Sequence, residues 1–523
     1  MANGSALIRH VSDRLGYGPR PGDLDRIAET GVDRWIDQQL HPASIPVPPQ
    51  LDQRMAQFVT LRMSPPQLFV EYGPRVGLEP GAKPTPEEQQ ERARRLQFVV
   101  GEAIAARLMR AIESPRQLEE LLAEFWFNHF NVFIGKELDR LWTGAYVEEA
   151  IRPHLFGRFR DLLGATAKHP AMLFYLDNWL NTAPGSPGAR GQFEGLNENY
   201  ARELMELHTL GVDGGYSQAD VIALARILTG WTIGPIGPGR QGQQPRVTSF
   251  LGPMRIFRGG ERPRVEGPRA LGPRGQGRGV FVFDPDRHDG TDKTLLGRLI
   301  RGRGIEEGEE ALDMLARSPA TARHISLKLA QFLLADHPDK QVVDAMAKTF
   351  LGSDGDITAV LRTLFASEAF RAPSSFGTRF KTPYRYVVSA VRAAGVPVVN
   401  FRPLEGILNQ LGERPYACLT PDGYKSSEDA WLNPDAMMRR VSFAVAFARG
   451  NMRLELPPEE GMEQGAPPPL RPPAQRGTVV DPAALLKTLG EDRFSQRTLA
   501  AIIGAAPELR SAMLLGAPEF MRF

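Results

Sequence analysis

Between residues 197 and 233 the polar and apolar positions fall into two helical stripes joined by a Gly214-Gly215 turn. At ~100° per residue, a helix over 198–210 puts Asn199, Arg202, Glu203 and Glu206 on one side. Tyr200, Leu204, Met205 and Leu207 take the other side, with His208 inside that apolar face. Gly211 is placed to stop the helix in a left-handed turn. Ser217 and Asp220 have the spacing of a capping box, with Asp in the place that usually holds Glu or Gln. Val221, Leu224, Ala225 and Leu228 then give a second apolar stripe.

The same period runs through most of the chain. Helices are expected from Pro86 to about Ser114, and over 118–133, 138–151, 155–165 and 169–180. After a break they return over 293–301, 305–317, 319–335, 340–351, 357–366, 381–394, 403–411 and 435–449. Residues 413–434 read as irregular, and 280–283 (Val-Phe-Val-Phe) as a short strand. Residues 234–279 carry nine arginines against Glu261 and Glu266 among many Gly and Pro, and cannot bury a core. Residues 456–482 are Pro-rich and read as a surface loop. The expectation is a mainly α protein: one large helical domain over 1–523, with many short helices, long Gly/Pro/Arg-rich insertions and at most a small β element.

Composition narrows this only a little. Of 523 residues, 42% are hydrophobic and 24% charged, the balance of a globular chain. The net charge of +2 implies no acidic partner for the chain as a whole. The arginines of 234–279 could meet an acidic surface, but they lack interleaved aromatics beyond Phe250 and Phe257, which disfavours nucleic acid. The lone Cys418 excludes an internal disulfide and a Cys-based metal cluster. No apolar run approaches the ~18 residues of a membrane span. The N-terminus has no apolar signal core, so two localisations stay open: cytoplasmic as the chain stands, or exported with a leader already removed.

Candidate chemistry lies on the apolar faces. In 118–133, Gln117, Glu120, Glu124, Asn128 and Asn131 share one stripe, while His129 lies with Leu122, Phe125 and Trp126. His129 and His208 are therefore both directed inward, either as core imidazoles bonded to a backbone carbonyl or a nearby carboxylate, or as a ligand or proton-transfer pair. With Glu203 they form a candidate set for a divalent metal. Glu203 and Glu206 stand five and two residues from His208, so the i, i+3 pairing of di-iron proteins is absent. Asp284, Asp286, His288, Asp289 and Asp292 crowd a polar loop. Its spacing resembles a calcium loop without the twelfth-position Glu, and turn and cap chemistry explains it equally well. His324 falls on the polar side of its helix, near Lys328 and Gln331, and reads as a surface residue. No phosphate-binding loop, dinucleotide fingerprint, HExxH or GxSxG occurs.

Several longer motifs carry a resemblance. EFWFNHFNVF (124–133), HPAMLFYLDN (169–178), the 197–233 stretch and FDPDRHDGTDKTLLG (283–297) are similar to those of a bacterial family, domain of unknown function 1800. The likeness runs from Ile8 to Phe523, through SPATARHISLKLAQFLLAD, FKTPYRYVVSAVRAAG and GAPEFMRF. It implies no particular activity. It does imply that related chains often carry an export signal, and that a Gly-Trp pair is usual where this chain has Gly423-Tyr424 ahead of Trp431.

Two functions follow. One is a hydrolytic or oxidative enzyme, its cleft built from His129, His208, Glu203, His288 and Asp289, with or without a metal. The other is a non-catalytic binding or assembly protein whose polar residues lock helices together. An open cleft reaching the His288 loop is the mark of the first, a closed and internally bonded core the mark of the second.

Overall fold

A computed structural model describes residues 2–74, 84–234, 281–457 and 477–523. The basic stretch expected over 234–279 lies outside the described residues except for Gly234, and so does most of the Pro-rich 456–482. The described residues form 24 α-helices and two two-stranded antiparallel sheets, so the protein is mainly α-helical. Their buried apolar side chains form one cluster with members from Val11 to Met521.

The longest helix, Pro86–Glu113, begins where local chemistry says it should. The Thr85 hydroxyl accepts from the Glu88 N–H, the Glu88 carboxylate accepts from the Thr85 N–H, and Pro86 fills the first turn. The helix packs on Asp139–Tyr146 and on Pro383–Ala394. Gln117–His129 follows it and buries Leu118, Leu121, Leu122, Phe125 and Trp126. It stops at His129, four residues before the periodicity does. Beyond it Asn131 turns its side chain to the carbonyls of Cys418 and Thr420.

In the 197–233 stretch the second helix, Gln218–Ile227, has its capping box in place between Ser217 and Asp220. The first is shorter than its pattern: Asn199–Glu206. The Thr209 hydroxyl donates to the Leu204 carbonyl (2.6 Å), and the His208 N–H reaches back five residues to Glu203. Gly211, at φ +84°, then turns the chain away.

One expected helix is wrong. Residues 293–301 form a hairpin, Lys293–Leu295 paired with Arg298–Ile300. Its two-residue loop, Leu296-Gly297, has both φ values positive (48° and 75°), the geometry whose twist matches paired strands. The second sheet joins Trp231–Ile233 to Phe281–Phe283, so the strand expected at 280–283 forms and brings in an unexpected partner.

The hairpin is fastened to the helix Ile305–Ala316 by buried charge. Glu307, fully buried, accepts from the N–H groups of Arg303 and Gly304 at the helix start, from His288 Nε2 (2.9 Å) and from Lys293 Nζ (2.6 Å). Although burial opposes it, the bonds from His288 and Lys293 pull the Glu307 carboxyl below its usual value. Removing the carboxylate would strand a buried ammonium. Glu307→Ala is therefore expected to lower stability by about 3–5 kcal/mol, read from urea unfolding. A loss below about 1 kcal/mol would show that the network is not what holds the hairpin.

Candidate functional site

A cleft of about 710 Å³ opens between helices that are distant in sequence. Its walls come from Pro86–Glu113 (Arg107), Gln117–His129 (Glu124, Asn128, His129), Asn199–Glu206 (Glu203, Glu206) and Pro319–Leu333 (His324, Lys328, Gln331). Residues 382–384 and the irregular 413–427 complete it. The irregular wall is held by side chains. Asn128 Nδ2 donates to the Tyr424 carbonyl and its Oδ1 accepts from the Tyr424 N–H, both at 2.7 Å. The Ile134 N–H donates to the Tyr416 carbonyl, and the Tyr175 hydroxyl to that of Leu419. Tyr424 lines the cleft and donates its hydroxyl to the Arg414 carbonyl.

The early end of Asn199–Glu206 sets the imidazoles. The carbonyls of Leu207 and His208 are free of the helix ladder. His324 Nε2 donates to the first (3.2 Å) and His129 Nε2 to the second (3.1 Å). A carbonyl only accepts, so both rings carry hydrogen on Nε2 and keep a lone pair at Nδ1. His129 Nδ1 and His208 Nε2 are buried, with no hydrogen-bond partner among the described residues. The His129 and His208 rings lie 6.1 Å apart between centroids, joined through backbone rather than ring to ring. A Cβ on Gly211 would come within 2.9 Å of His324 Nδ1, so glycine keeps that atom open.

Lys328 follows His324 by one helical turn. Among the described residues no carboxylate lies within ion-pair distance of it. Burial brings its ammonium down to about 8, a change that Asp422 opposes and Lys425 assists. Burial, then Lys328, lowers His324 to about 4; burial, Lys328 and His324 lower His208 to about 3. His129 is held well below the ordinary value, by burial first and Lys328 next. All three rings are neutral near pH 7. On other walls, burial and then Glu206 raise the Glu203 carboxyl, and burial and then Glu124 raise that of Glu413.

The residues singled out from sequence thus divide. His129 and Glu203 line the cleft and His208 lies just behind it. His288 and Asp289 do not line it: His288 is engaged with Glu307 and Thr229, and Asp289 with Arg226 (2.6 Å) and Thr291. Against the opposing effect of burial, those bonds bring Asp289 down to about 2. The expected trio His129, His208 and Glu203 does not converge as metal ligands, and no group of three or more His, Cys, Asp or Glu among the described residues does. His324, expected at the surface, is half-buried and faces the cleft with Lys328 and Gln331. That i, i+4, i+7 stripe is polar because it faces an internal cleft, and periodicity alone does not separate a cleft from solvent.

Fold and cleft together define a mainly α-helical protein with a polar chamber walled by helices distant in sequence. The chain belongs to the family described as protein of unknown function (DUF1800), whose pattern matches residues 10–522. No curated protein and no solved structure matches it. No described helix is long and apolar enough to cross a membrane.

The buried imidazoles make stability depend on pH in one direction. His10, His129, His169 and His208 are each at most 6% exposed, and burial is the first cause of lowering in all four. Below about pH 6.5 the unfolded chain takes up these protons and the folded chain does not. Their contribution is therefore intact above that pH and lost as pH falls, by about 1.4 kcal/mol per pH unit for each ring. Urea midpoints are expected to drop steeply between pH 7 and pH 5 at constant m-value; a flat profile there contradicts the assignment.

Proposed function

We propose that the protein is a hydrolytic enzyme and that the cleft is its reaction chamber. The observation that carries this reading is Lys328, an amine on the wall of a large open cleft with no carboxylate within ion-pair distance among the described residues, and with its ammonium brought down to about 8. Proton-transfer groups work best with values near the working pH, and clustering of displaced values in one cleft marks functional sites. Lys328, in its free-amine form, takes a proton from water as the water attacks the substrate, and then gives that proton to the leaving group, which restores the amine. His324, held in one tautomer by the Leu207 carbonyl, supplies a fixed acceptor at Nδ1 for the water or for a substrate donor. The second reading, a non-catalytic binding or assembly protein, draws on the His288–Glu307–Lys293 network, where polar groups do lock elements together.

Competitive acetylation across pH, followed by mass spectrometry, tests the amine directly. Lys328 is expected to react with a midpoint near pH 8, against about 10.4 for ordinary lysines. Turnover of chromogenic esters, phosphates and glycosides is expected to fall about 10²–10⁴-fold in Lys328→Met. A midpoint near 10, or turnover unaffected by the substitution, sinks the enzyme reading.

A further inference from the structure

The inner end of the cleft holds a second cation in an unusual setting. Arg107 lines both the cleft and a water-sized chamber behind it of about 20 Å³. Its guanidinium carbon lies 4.7 Å from the Tyr384 ring centre, 5.0 Å from Tyr416 and 5.9 Å from Phe127. Among the described residues no carboxylate is within ion-pair distance of it. Glu124 acts on Arg107 electrostatically, but one of its oxygens already accepts from the Tyr17 hydroxyl (2.5 Å). Arg107 also donates a side-chain hydrogen bond to the Tyr384 hydroxyl; stacking uses the faces of a guanidinium, and its remaining edge N–H groups are left for bonds to an oxyanion.

The wall behind this end also carries positive charge in excess. Arg14, Arg379 and Arg385 surround the Phe523 ring, at 4.8, 5.7 and 3.9 Å from its centre. Buried N–H groups on all three have no acceptor among the described residues: Nε and Nη1 of Arg14, Nε and Nη1 of Arg379, and Nη2 of Arg385. Asp336 reaches Arg379 (3.1 Å), and Asp13 is shared with Arg493 (2.9 Å). Arg385 also lies 5.8 Å from the ring of Phe332, which lines the cleft. Low-dielectric walls focus such a field into the opening. Glu413, also on the cleft wall, adds less negative charge than its type implies, because burial and Glu124 favour its protonated form.

We propose that Arg107 is the anchor of an oxyanion subsite, so that the substrate of this cleft bears a carboxylate or a phosphate monoester seated on its guanidinium edge. The inference rests on the cleft being the reaction chamber, but binding is measurable without turnover. Calorimetric titration of the full chain with inorganic phosphate and, separately, with benzoate separates the two oxyanion sources. One probe is expected to bind saturably, at least tenfold more weakly in Arg107→Met, with partial recovery in Arg107→Lys. In the wild type the same probe is expected to slow acetylation of Lys328, where chloride at equal ionic strength does not; this arm needs no variant to fold. Absence of saturable binding by either probe, equal affinity in Arg107→Met, or unchanged Lys328 acetylation overturns the subsite. Anion binding without hydrolysis of any substrate leaves the subsite standing and removes the enzyme reading; hydrolysis without anion binding does the reverse.

Discussion

The cleft depends on a helix that ends too soon. Asn199–Glu206 has the apolar pattern to continue, yet Thr209 and Gly211 end it, and two adjacent carbonyls are left without ladder partners. A buried carbonyl must be satisfied. Here imidazoles from two other helices satisfy them, which fixes where Gln117–His129 and Pro319–Leu333 stand relative to this turn. The same bonds decide which ring nitrogen keeps its hydrogen. Backbone hydrogen bonding, helix placement and the protonation pattern of the cleft are thus one constraint seen three ways.

Buried charge is used in two contrasting ways. Around Glu307 each polar partner is matched: a carboxylate receives an ammonium, an imidazole and two backbone N–H groups. Such closure specifies a shape and leaves no group free to react. In the cleft the groups are left open: among the described residues Lys328 has no carboxylate within ion-pair distance, Arg107 is met by rings, and His129 Nδ1 has no donor. Unmatched groups are costly in a folded interior, and their concentration on one set of walls is a physical reason to look there for chemistry.

Much of this was legible in the sequence, and the exceptions have physical causes. The mainly helical class, the capping box at Ser217 and Asp220, and the inward placement of His129 and His208 follow from period and spacing. The hairpin at 293–300 did not, because Leu296 adopts a positive φ that its type rarely shows. His288 and Asp289 stood out as reactive types, but reactivity depends on whether partners are already supplied, which spacing cannot tell. His324 and Lys328 were passed over because a polar stripe looks the same whether it faces bulk water or a water-filled opening.

The wall formed by residues 413–427 contributes Tyr416, Tyr424 and Lys425 without contributing regular secondary structure. It is tied down through neighbouring side chains, Asn128 on its helix and Asn131 just beyond that helix foremost. Its own residues are consequently free of the spacing rules that bind a helix or a strand. Sequence drift can reshape this face of the chamber while the helices that carry His129, Glu203, His324 and Lys328 stay unchanged. Variation in the chamber's shape has, in this segment, a route that bypasses the folding problem.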